Sequence, residues 1–351
     1  MLDDKSLNLT SVASLGEFGL IDKITKNFSS KDASLLMGPG DDAAVYQLEG
    51  NRVLVSTTDI LAEGVHFDLS YVPMQHLGYK SVVVNLSDIY AMNAKPFGVL
   101  VNIAFSNRFS VEAIETLYDG IHSACEFYGI SLLGGDTSSS RAGLVITVTA
   151  LGFGEKDKIA YRSGAKETDL ICVSGDLGAA FAGLQVLERE KAVFIKNPEV
   201  QPDLSGFEYC VNRQLKPEAR KDIIEEIENL GLKLTSMIDV SDGLASELHH
   251  ICAMSKKGAT IYQDKVPIDH VTISAADTFK ISQITYALNG GEDYELLFTV
   301  PVTSFDIIKA HPDISIIGHI TSPDRGVKLI TNSAQEVEIP FGGFNHFGNP
   351  N

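Results

Sequence analysis

The sequence predicts an α/β (α+β) protein of two sandwich-like domains, in which mixed sheets pack against helices. In both halves of the chain, short apolar runs typical of strands are mixed with segments of helical periodicity, without the strict βαβ alternation of a doubly wound sheet. A charged stretch rich in Lys and Gly, residues 155–169, separates the halves. The chain has 351 residues and is 44% hydrophobic, enough for more than one core. We therefore expect domains at residues 1–155 and 156–351.

The elements of the first half are predicted from periodicity and capping residues. A capping-box pattern begins at Ser14, and apolar residues at helical spacing follow it. Pro73 suits the first position of a second helix, and Ser110 and Gly129 suit the two ends of a third. The predicted strands are residues 43–48, 52–56, 99–105, 130–133 and 144–153, and the predicted helices are residues 14–28, 74–92 and 110–129.

The same signals predict a similar mixture in the second half, where a glycine-rich segment, residues 289–294, precedes the last predicted strand. The predicted strands are residues 170–173, 237–240 and 295–300, and the predicted helices are residues 179–187, 217–230 and 245–254.

Composition disfavours several classes of partner. The net charge of −18, from 46 acidic and 28 basic residues, opposes binding to nucleic-acid phosphates or anionic membranes. Four scattered cysteines without CxxC spacing predict reduced, buried thiols rather than zinc or disulfides. The N-terminus lacks the pattern of a signal peptide, and no apolar run approaches the ~18 residues of a membrane span. We expect a soluble, cytoplasmic protein that binds a polyanion only with divalent cations in between.

Two acidic segments near the N-terminus predict a site for a hard cation. Gly38 and Gly40 let the backbone turn sharply, so that Asp41 and Asp42 lie at a loop tip. Residues 57–59, Thr-Thr-Asp, follow a predicted strand and supply further oxygen atoms. Oxygen ligands on two nearby turns suit Mg²⁺, commonly with a phosphate completing its coordination. Each Asp alone fits a helix cap or a solvated turn equally well.

Asn85 and Asp88 lie on one face of the predicted helix at residues 74–92, among apolar neighbours. Both residue types are poor in the middle of a helix, and an isolated buried Asp is costly. Two explanations are open: a hydrogen-bonded network, or a metal ion bound together with the other acids. The number of other acids favours the metal.

Later segments repeat this combination of acids and turn residues. The Gly-Gly-Asp segment at residues 134–136 offers backbone N–H groups beside a carboxylate, although it also occurs in ordinary turns. Asp239, Ser241 and Asp242 lie where a strand leads into a helix; one of them suffices as a cap, so the second Asp needs another explanation. Arg162 is one of few cations near these loops, and a surface salt bridge explains it as well as a phosphate contact does.

Convergence of these acids in one pocket would require several divalent cations, because their mutual repulsion is otherwise prohibitive. Metal ions and a nucleoside triphosphate would balance the charge. The usual phosphate-binding signatures are absent; residues 78–81, for example, fail the spacing of a P-loop. The acids are Asp41, Asp42, Asp59, Asp88, Asp136, Asp239, Asp242 and Glu292.

Eight segments, in order from residue 16 to residue 296, resemble the thiamine-monophosphate kinase family, and the resemblance as a whole spans residues 16 to about 347. That family shares an acidic ATP site and a dimeric two-domain fold with aminoimidazole ribonucleotide synthetase and selenophosphate synthetase. The strings EGVHF and GGEDYEL favour the thiamine branch. The segments are Gly16-Glu17-Phe18, Gly40-Asp41-Asp42-Ala43-Ala44, residues 57–67, Val84-Asn85-Leu86-Ser87-Asp88, Gly134-Gly135-Asp136-Thr137, Arg162-Ser163-Gly164-Ala165, residues 238–244 and residues 290–296.

The resemblance implies a homodimer that uses ATP and several Mg²⁺ ions to convert thiamine monophosphate into thiamine diphosphate, the last step in making that compound. It implies catalytic roles for Asp59, Asp242 and Arg162. The implied magnesium ligands are Asp42, Thr57, Thr58, Asp59, Asp88, Asp136, Asp239 and Asp242. The implied ATP contacts are Gly135, Arg162, Ser241 and Tyr118, and the implied substrate contacts are His66, Glu292 and Phe344.

The implied reaction needs no strong general base, since the nucleophile is a phosphate oxygen with a second pKa of ~6. We therefore expect direct in-line transfer. Phe344, where many relatives have Tyr or Trp, keeps a stacking face for a cationic thiazolium ring. Two alternatives are another ATP-dependent synthetase of the same superfamily and a non-catalytic, acidic cation-binding protein.

Overall fold

The structure, a computed structural model, describes residues 12–28 and 32–342, and within them it contains two mixed sheets. The elements of the first half are α1 (Gly16–Thr25), β1 (Leu35–Met37), β2 (Ala44–Gln47), β3 (Arg52–Ala62), α2 (Met74–Ala91), β4 (Lys95–Phe105), α3 (Val111–Tyr128), β5 (Ser131–Ser139) and β6 (Val145–Glu155). Their strands form a sheet in the order β1-β2-β3-β6-β4-β5, in which only β4 and β5 pair in parallel among the described strands.

The second half forms a separate sheet with its own helices. Its elements are β7 (Leu170–Ser174), α4 (Ala179–Lys196), α5 (Glu208–Leu215), α6 (Lys221–Asn229), β8 (Ser236–Val240), α7 (Leu244–Ser255), β9 (Gly258–Tyr262), α8 (His270–Phe279), α9 (Gln283–Asn289), β10 (Glu295–Val300), α10 (Phe305–Ile308), β11 (Ile314–Thr321), β12 (Val327–Ile330) and β13 (Glu336–Glu338). The strand order is β13-β12-β9-β11-β7-β10-β8. Two mixed sheets with packed helices confirm the predicted fold class.

Helix α2 lies at the centre of the first half and is buried along almost its whole length. It packs against α3 at a pair of glycines, where a Cβ on Gly78 would lie 1.9 Å from the Leu117 carbonyl oxygen and a Cβ on Gly120 would lie 1.9 Å from the Gln75 carbonyl oxygen. The predicted cap of α3 is confirmed, because the Ser110 hydroxyl accepts from the Ala113 N–H at 3.2 Å. The glycines thus allow the backbones of the two helices to touch.

The first sheet covers α2 with one face only. Along β6 the residues alternate between buried and half-exposed, which is the pattern of a sheet with one face on the core. The opposite face is here called the open face, and it carries Ile60, which is 54% exposed. The edge strand β5 of the same sheet exposes Leu132 and Leu133. Among the described residues, no helix is long and apolar enough to cross a membrane.

The structure corrects the bounds of two predicted strands. Strand β3 does not end at residue 56 but runs to Ala62, because it pairs with β6 over eleven residues, from Arg52 opposite Glu155 to Ala62 opposite Val145. Residues 57–59 therefore lie on a strand and not on a turn. Likewise β5 continues through residues 134–136, which pair in parallel with β4. Partners distant in the sequence decided both extensions. The local pattern also missed β1, α5, α8, α9, α10, β9 and β11 to β13.

Candidate active site between the two halves

Three buried or half-buried carboxylates from different elements meet where the halves join. Asp42 precedes β2, Asp88 lies in the last turn of α2, and Asp239 lies on β8 of the second half. One oxygen of each lies within 4.8 Å of those of the other two. Asp59 and Asp242 interact electrostatically with this group. We call these five carboxylates the acid cluster.

Hydrogen bonds from neighbouring side chains hold the acid cluster in place. The Thr57 hydroxyl donates to Asp88 Oδ2 at 2.6 Å, and the Ser87 hydroxyl donates to Asp239 Oδ2 at 2.6 Å across the boundary between the halves. Asn85 is held by two hydrogen bonds: its Oδ1 accepts from the Asp59 N–H at 2.9 Å, and its Nδ2 donates to the Ser81 carbonyl at 3.0 Å. The hydrogen-bonded network therefore applies to Asn85, whereas Asp88 accepts a hydrogen bond from Thr57 and also lies in the acid cluster, so a metal ion there stays a prediction.

Arg162 forms a buried ion pair with the acid cluster and not a surface salt bridge. Its Nη2 and Nε lie 2.6 and 3.1 Å from Asp42 Oδ1, and the Asp42 side chain is fully buried. The Arg162 N–H also donates to Asp41, at 3.2 Å to each carboxylate oxygen. The second oxygen of Asp42, Oδ2, is buried and has no hydrogen-bond partner among the described residues. That oxygen remains for a ligand.

The electrostatics of the acid cluster are those of a site built for cations. Burial, followed by repulsion from Asp42, raises the pKa of Asp239 to about 8. Burial, then repulsion from Asp242 and Asp42, raises the pKa of Asp59 to about 6. Burial and repulsion from Asp59 and Asp239 also hold the pKa of Asp88 well above its usual range. Mg²⁺ prefers oxygen ligands, and the acid cluster supplies carboxylate oxygens, of which Asp42 Oδ2 is buried without a hydrogen-bond partner among the described residues. The acid cluster therefore fits the predicted ion.

A cleft of about 780 Å³ extends from the acid cluster along the boundary between the halves. His66 lies in its wall, where its Nδ1 accepts from the Ala62 N–H at 3.0 Å. The cleft is lined by residues of both halves, including Asp59, Asp88, Asp239, Ser241, Asp242, His66, Phe67, Asp68, Lys80, Phe181, Glu188, Lys191, Gln214, Glu292 and Tyr294.

Glu292 is held from both sides in the wall of this cleft. Lys80 of α2 lies 2.7 Å from Glu292 Oε1, and Gln214 Nε2 of α5 donates to Oε2 at 2.6 Å. Lys80 is only 4% exposed and also donates to the Gln214 carbonyl at 3.1 Å. Sequence reasoning considered residues 78–81 only as a failed P-loop and missed Lys80. A lysine in the middle of an apolar helix was the available signal, because such a residue needs a buried partner.

Four predicted site residues are not brought to the cleft within one copy of the chain. Thr58 points to the open face, because side chains alternate along β3, and its hydroxyl donates to the Val148 carbonyl at 3.0 Å. Asp136 is exposed on β5, and the ladders place it opposite Ile60 of β3 at three strand spacings, roughly 14 Å. Gly135 lies beside it, and Tyr118 is half-buried on α3. Phe344 lies outside the described residues.

Comparisons with known proteins agree on the ancestry of both halves. The family model for the N-terminal domain of AIR synthase related proteins matches residues 40–154, and the model for the C-terminal domain matches residues 166–330. The thiamine-monophosphate kinase of Buchnera aphidicola subsp. Schizaphis graminum is 37% identical, with 94% of this chain and 98% of that protein covered. The chain belongs to the thiamine-monophosphate kinase family.

Other members of the thiamine-monophosphate kinase family show the same extent of similarity. The enzyme of Bacillus subtilis is 32% identical over 95% of this chain and its own full length. A solved structure of AaThiL complexed with AMPPCP and TMP is 31% identical, with a TM-score of 0.83 over 97% of this chain and 100% of that chain. The thiamine monophosphate kinase of Aquifex aeolicus has a TM-score of 0.74 at 32% identity, with 91% and 98% covered. The family predicted from the sequence is confirmed.

Proposed function

We propose that this chain is a kinase that transfers the terminal phosphoryl group of ATP to thiamine monophosphate, giving thiamine diphosphate and ADP. The observation that carries this proposal is the position of the acid cluster, which opens into the same cleft that holds His66 and Glu292. A site for metal-bound phosphates and a site for an organic acceptor are thus continuous. Relatives over the full chain are named for this activity, and AaThiL binds an ATP analogue together with TMP.

Magnesium ions would be held by Asp42, Asp88 and Asp239, with Asp59 and Asp242 beside them. When bound, the ions would neutralise the charge of both phosphates. Arg162 fixes Asp42 through two N–H donors to Oδ1, and Oδ2 has no hydrogen-bond partner among the described residues. The predicted contact of Arg162 with ATP, like those of Gly135, Ser241 and Tyr118, is part of the proposal. Cofactor binding is thereby assigned to residues of both halves.

In this reaction the protein has to position two phosphates, and it does not have to remove a proton from the acceptor. The acceptor phosphate is already largely ionised near neutral pH, with a second pKa of ~6. Glu292 supplies a negative charge for the cationic thiazolium ring, and Lys80 and Gln214 hold its carboxylate in a fixed orientation. His66 lines the same wall, and Phe344 would stack on the ring. The transfer is therefore in-line and direct.

We propose in addition that the protein is a cytoplasmic homodimer formed through the first half, residues 1–155, and that residues 156–351 complete the ATP and substrate site. The open face supports this arrangement, since it exposes Ile60, and the edge strand β5 of the same sheet exposes Leu132 and Leu133. Thr58 and Asp136 belong to this sheet outside the cleft. The four cysteines are buried and free, as expected in a reducing compartment.

The proposal is tested by incubating the protein with thiamine monophosphate, ATP and Mg²⁺ and measuring thiamine diphosphate directly. We expect product with the wild type and a loss of about 100-fold or more in turnover for Asp59→Asn and Asp242→Asn. Asp324→Asn, a change on a surface turn, is the matched control and should retain full turnover. Absence of product rejects the activity, and full turnover of either variant at saturating Mg²⁺ rejects the assigned roles.

The two alternatives predict different results. Another synthetase of the superfamily would hydrolyse ATP with a different acceptor and form no thiamine diphosphate. A passive cation-binding protein would bind Mg²⁺ without a nucleotide partner. Calorimetry with Mg²⁺ alone and then with a non-hydrolysable ATP analogue distinguishes it, because a kinase should bind the analogue much more tightly when Mg²⁺ is present.

A further inference from the structure

Tyr294 lies near both the acid cluster and Glu292, and the sequence alone assigns it no role. It follows Glu292 by two residues and lines the cleft. Its phenol interacts electrostatically with Glu292, Asp59, Asp239 and Asp242. Tyr294 therefore lies near both the acid cluster and Glu292. No other tyrosine has this combination of neighbours among the described residues.

The hydroxyl group of Tyr294 has no partner in the described part of the chain. The residue is only 7% exposed, yet no described side chain or backbone group forms a hydrogen bond with its hydroxyl. A buried phenol ordinarily finds an acceptor, because leaving it without one costs free energy. The O–H of a tyrosine that lines a cleft and has no acceptor is therefore suited to a ligand oxygen.

The backbone around Tyr294 is strained in a way that serves to present this side chain. Tyr294 and Glu292 have φ values of 53° and 66°, a left-handed conformation that bulky residues rarely adopt. Two hydrogen bonds to β8 and the turn after it maintain this conformation: the Tyr294 N–H donates to the Val240 carbonyl at 2.9 Å, and the Glu292 N–H donates to the Ser241 carbonyl at 2.7 Å.

Asp293 lies between the two strained residues, Glu292 and Tyr294, and anchors this segment to the start of α4. Its carboxylate accepts from the Gly178 N–H at 2.6 Å and the Ala180 N–H at 3.2 Å, at the start of α4. Arg213 donates to the Asp293 carbonyl at 3.1 Å and to Glu295 Oε1 at 2.8 Å. The alternation directs Glu292 and Tyr294 to the cleft, while Asp293 and Glu295 are buried in ionic contacts.

We propose that the Tyr294 hydroxyl donates a hydrogen bond to the phosphate of the acceptor substrate. The inference rests on the proposed function, because it takes the acceptor to be a phosphate monoester bound beside Glu292. A phosphate bound between Glu292 and the acid cluster would lie near this phenol, which interacts electrostatically with both. Its oxygens are strong acceptors, and both lysines that line the described cleft are already paired, Lys80 with Glu292 and Lys191 with Asp68 and Glu188.

A neutral donor suits this position better than a charged one. Burial and the four carboxylates hold the pKa of Tyr294 well above its usual range, so the phenol keeps its proton near neutral pH. A lysine at the same place would pair with the carboxylates of the acid cluster. The phenol instead donates to the ligand without competing for the oxygens that bind the metal.

The test is Tyr294→Phe, which removes the hydroxyl and keeps the ring. The affinity for thiamine monophosphate and for thiamine, which has no phosphate, is measured by calorimetry in the presence of Mg²⁺, together with kcat/KM. We expect thiamine monophosphate to bind about 10-fold more weakly and kcat/KM to fall about 10- to 100-fold, with the affinity for thiamine unchanged. Stability should not decrease, since the lost hydroxyl had no partner.

Tyr286→Phe is the matched control. Tyr286 is fully buried, its hydroxyl also has no partner among the described residues, and it does not line the cleft. It should leave both affinities and kcat/KM unchanged. Equal losses for thiamine and thiamine monophosphate in Tyr294→Phe, or no loss, would overturn the proposal. A wild-type protein that forms no thiamine diphosphate would instead reject the proposed function, so the two failures are distinguishable.

Discussion

Burial and mutual repulsion make the ionised form of each carboxylate in the acid cluster costly in free energy, and bound cations would remove that cost. Asp239 and Asp59 are buried beside other acids, and their pKa values rise to about 8 and about 6. Asp41, held at the Arg162 backbone, is raised to about 7, chiefly by burial and then by Asp42. In the metal-free protein, these groups favour the protonated form of the folded state. Their position must therefore serve a purpose other than stability.

This electrostatic cost predicts an unusual pH dependence of stability. A carboxyl whose folded pKa lies above its unfolded value stabilises the fold at low pH, and that stabilisation is lost as the pH rises through the folded pKa. We therefore expect the Tm of the metal-free protein to fall by about 5–10 °C between about pH 5.5 and about pH 8.5. Scanning calorimetry in EDTA measures it.

Magnesium and one substitution provide the controls for that measurement. Saturating Mg²⁺ should raise the Tm more at the high end of this range than at the low end, because the ions compensate the ionised carboxylates. Asp239→Asn should flatten the profile, since it removes a buried carboxyl group whose pKa is raised to about 8. A Tm that is constant or rises over the range would contradict the account.

Lys80 is expected to position the substrate through its ion pair with Glu292. Lys80→Met keeps the length and apolar stem but leaves Glu292 with Gln214 as its remaining close partner. We expect the KM for thiamine monophosphate to rise about 10-fold while the KM for ATP and kcat stay within about twofold, because only the orientation of Glu292 is disturbed. Steady-state kinetics with each substrate varied in turn measures this split.

Lys95→Met is the matched control, because Lys95 forms an exposed ion pair with Glu228. It should change neither KM value, as surface pairs of this kind contribute little. Equal increases for both substrates in Lys80→Met would indicate general damage to the fold and would contradict a positioning role.

At the scale of elements, α2 joins the core of the first half to the site. It contacts α3 through the glycine pair, carries Lys80 and Asp88, and reaches β8 of the second half. Gly78→Ala should therefore destabilise the protein by about 2 kcal/mol or more, because the new Cβ meets backbone atoms of α3 that cannot move aside. Urea unfolding measures the change.

Gly19→Ala in α1 is the control for the glycine prediction. A Cβ there would lie 3.6 Å from the Leu15 Cβ, an ordinary contact. The substitution should be neutral or stabilise by about 0.5–1 kcal/mol, as alanine restricts the unfolded chain. Equal effects of the two substitutions would show that α2 and α3 do not touch as described.

Elements with strong local signals were predicted well, and elements fixed by distant partners were not. The cap at Ser110 and the turn at Gly129 define α3 within the sequence itself. The length of β3 depends on β6, some ninety residues later, so no local pattern could place Asp59 on a strand. The same holds for residues 134–136 in β5, which pair with β4.

At the scale of the whole molecule, the site exists because the two halves meet. The hydrogen bond from Ser87 to Asp239 spans 152 positions in the sequence. Sequence reasoning inferred convergence of the acids from their number, and the resemblance to a known family supplied the roles. The sequence did not reveal that the alternation of side chains along β3 points Thr58 away from the cleft, or that Asp136 lies on an edge strand.

The open face predicts the oligomeric state. Ile60→Glu places a charge in the middle of the proposed interface and should convert a dimer into a monomer. Val111→Glu, at an exposed position on α3, should remain dimeric. Light scattering after size-exclusion chromatography gives the mass. A monomeric wild type, or a dimeric Ile60→Glu, would contradict association through this face.

The most direct test of the central claim is the binding of Mn²⁺, as a spectroscopic substitute for Mg²⁺, followed by electron paramagnetic resonance in the presence of a non-hydrolysable ATP analogue. We predict that Asp42→Asn, Asp88→Asn and Asp239→Asn, changes on three separate elements of the two halves, each weaken the same tight Mn²⁺ binding by about 10-fold or more. Wild-type Mn²⁺ affinity in any one of the three variants would contradict a single shared site.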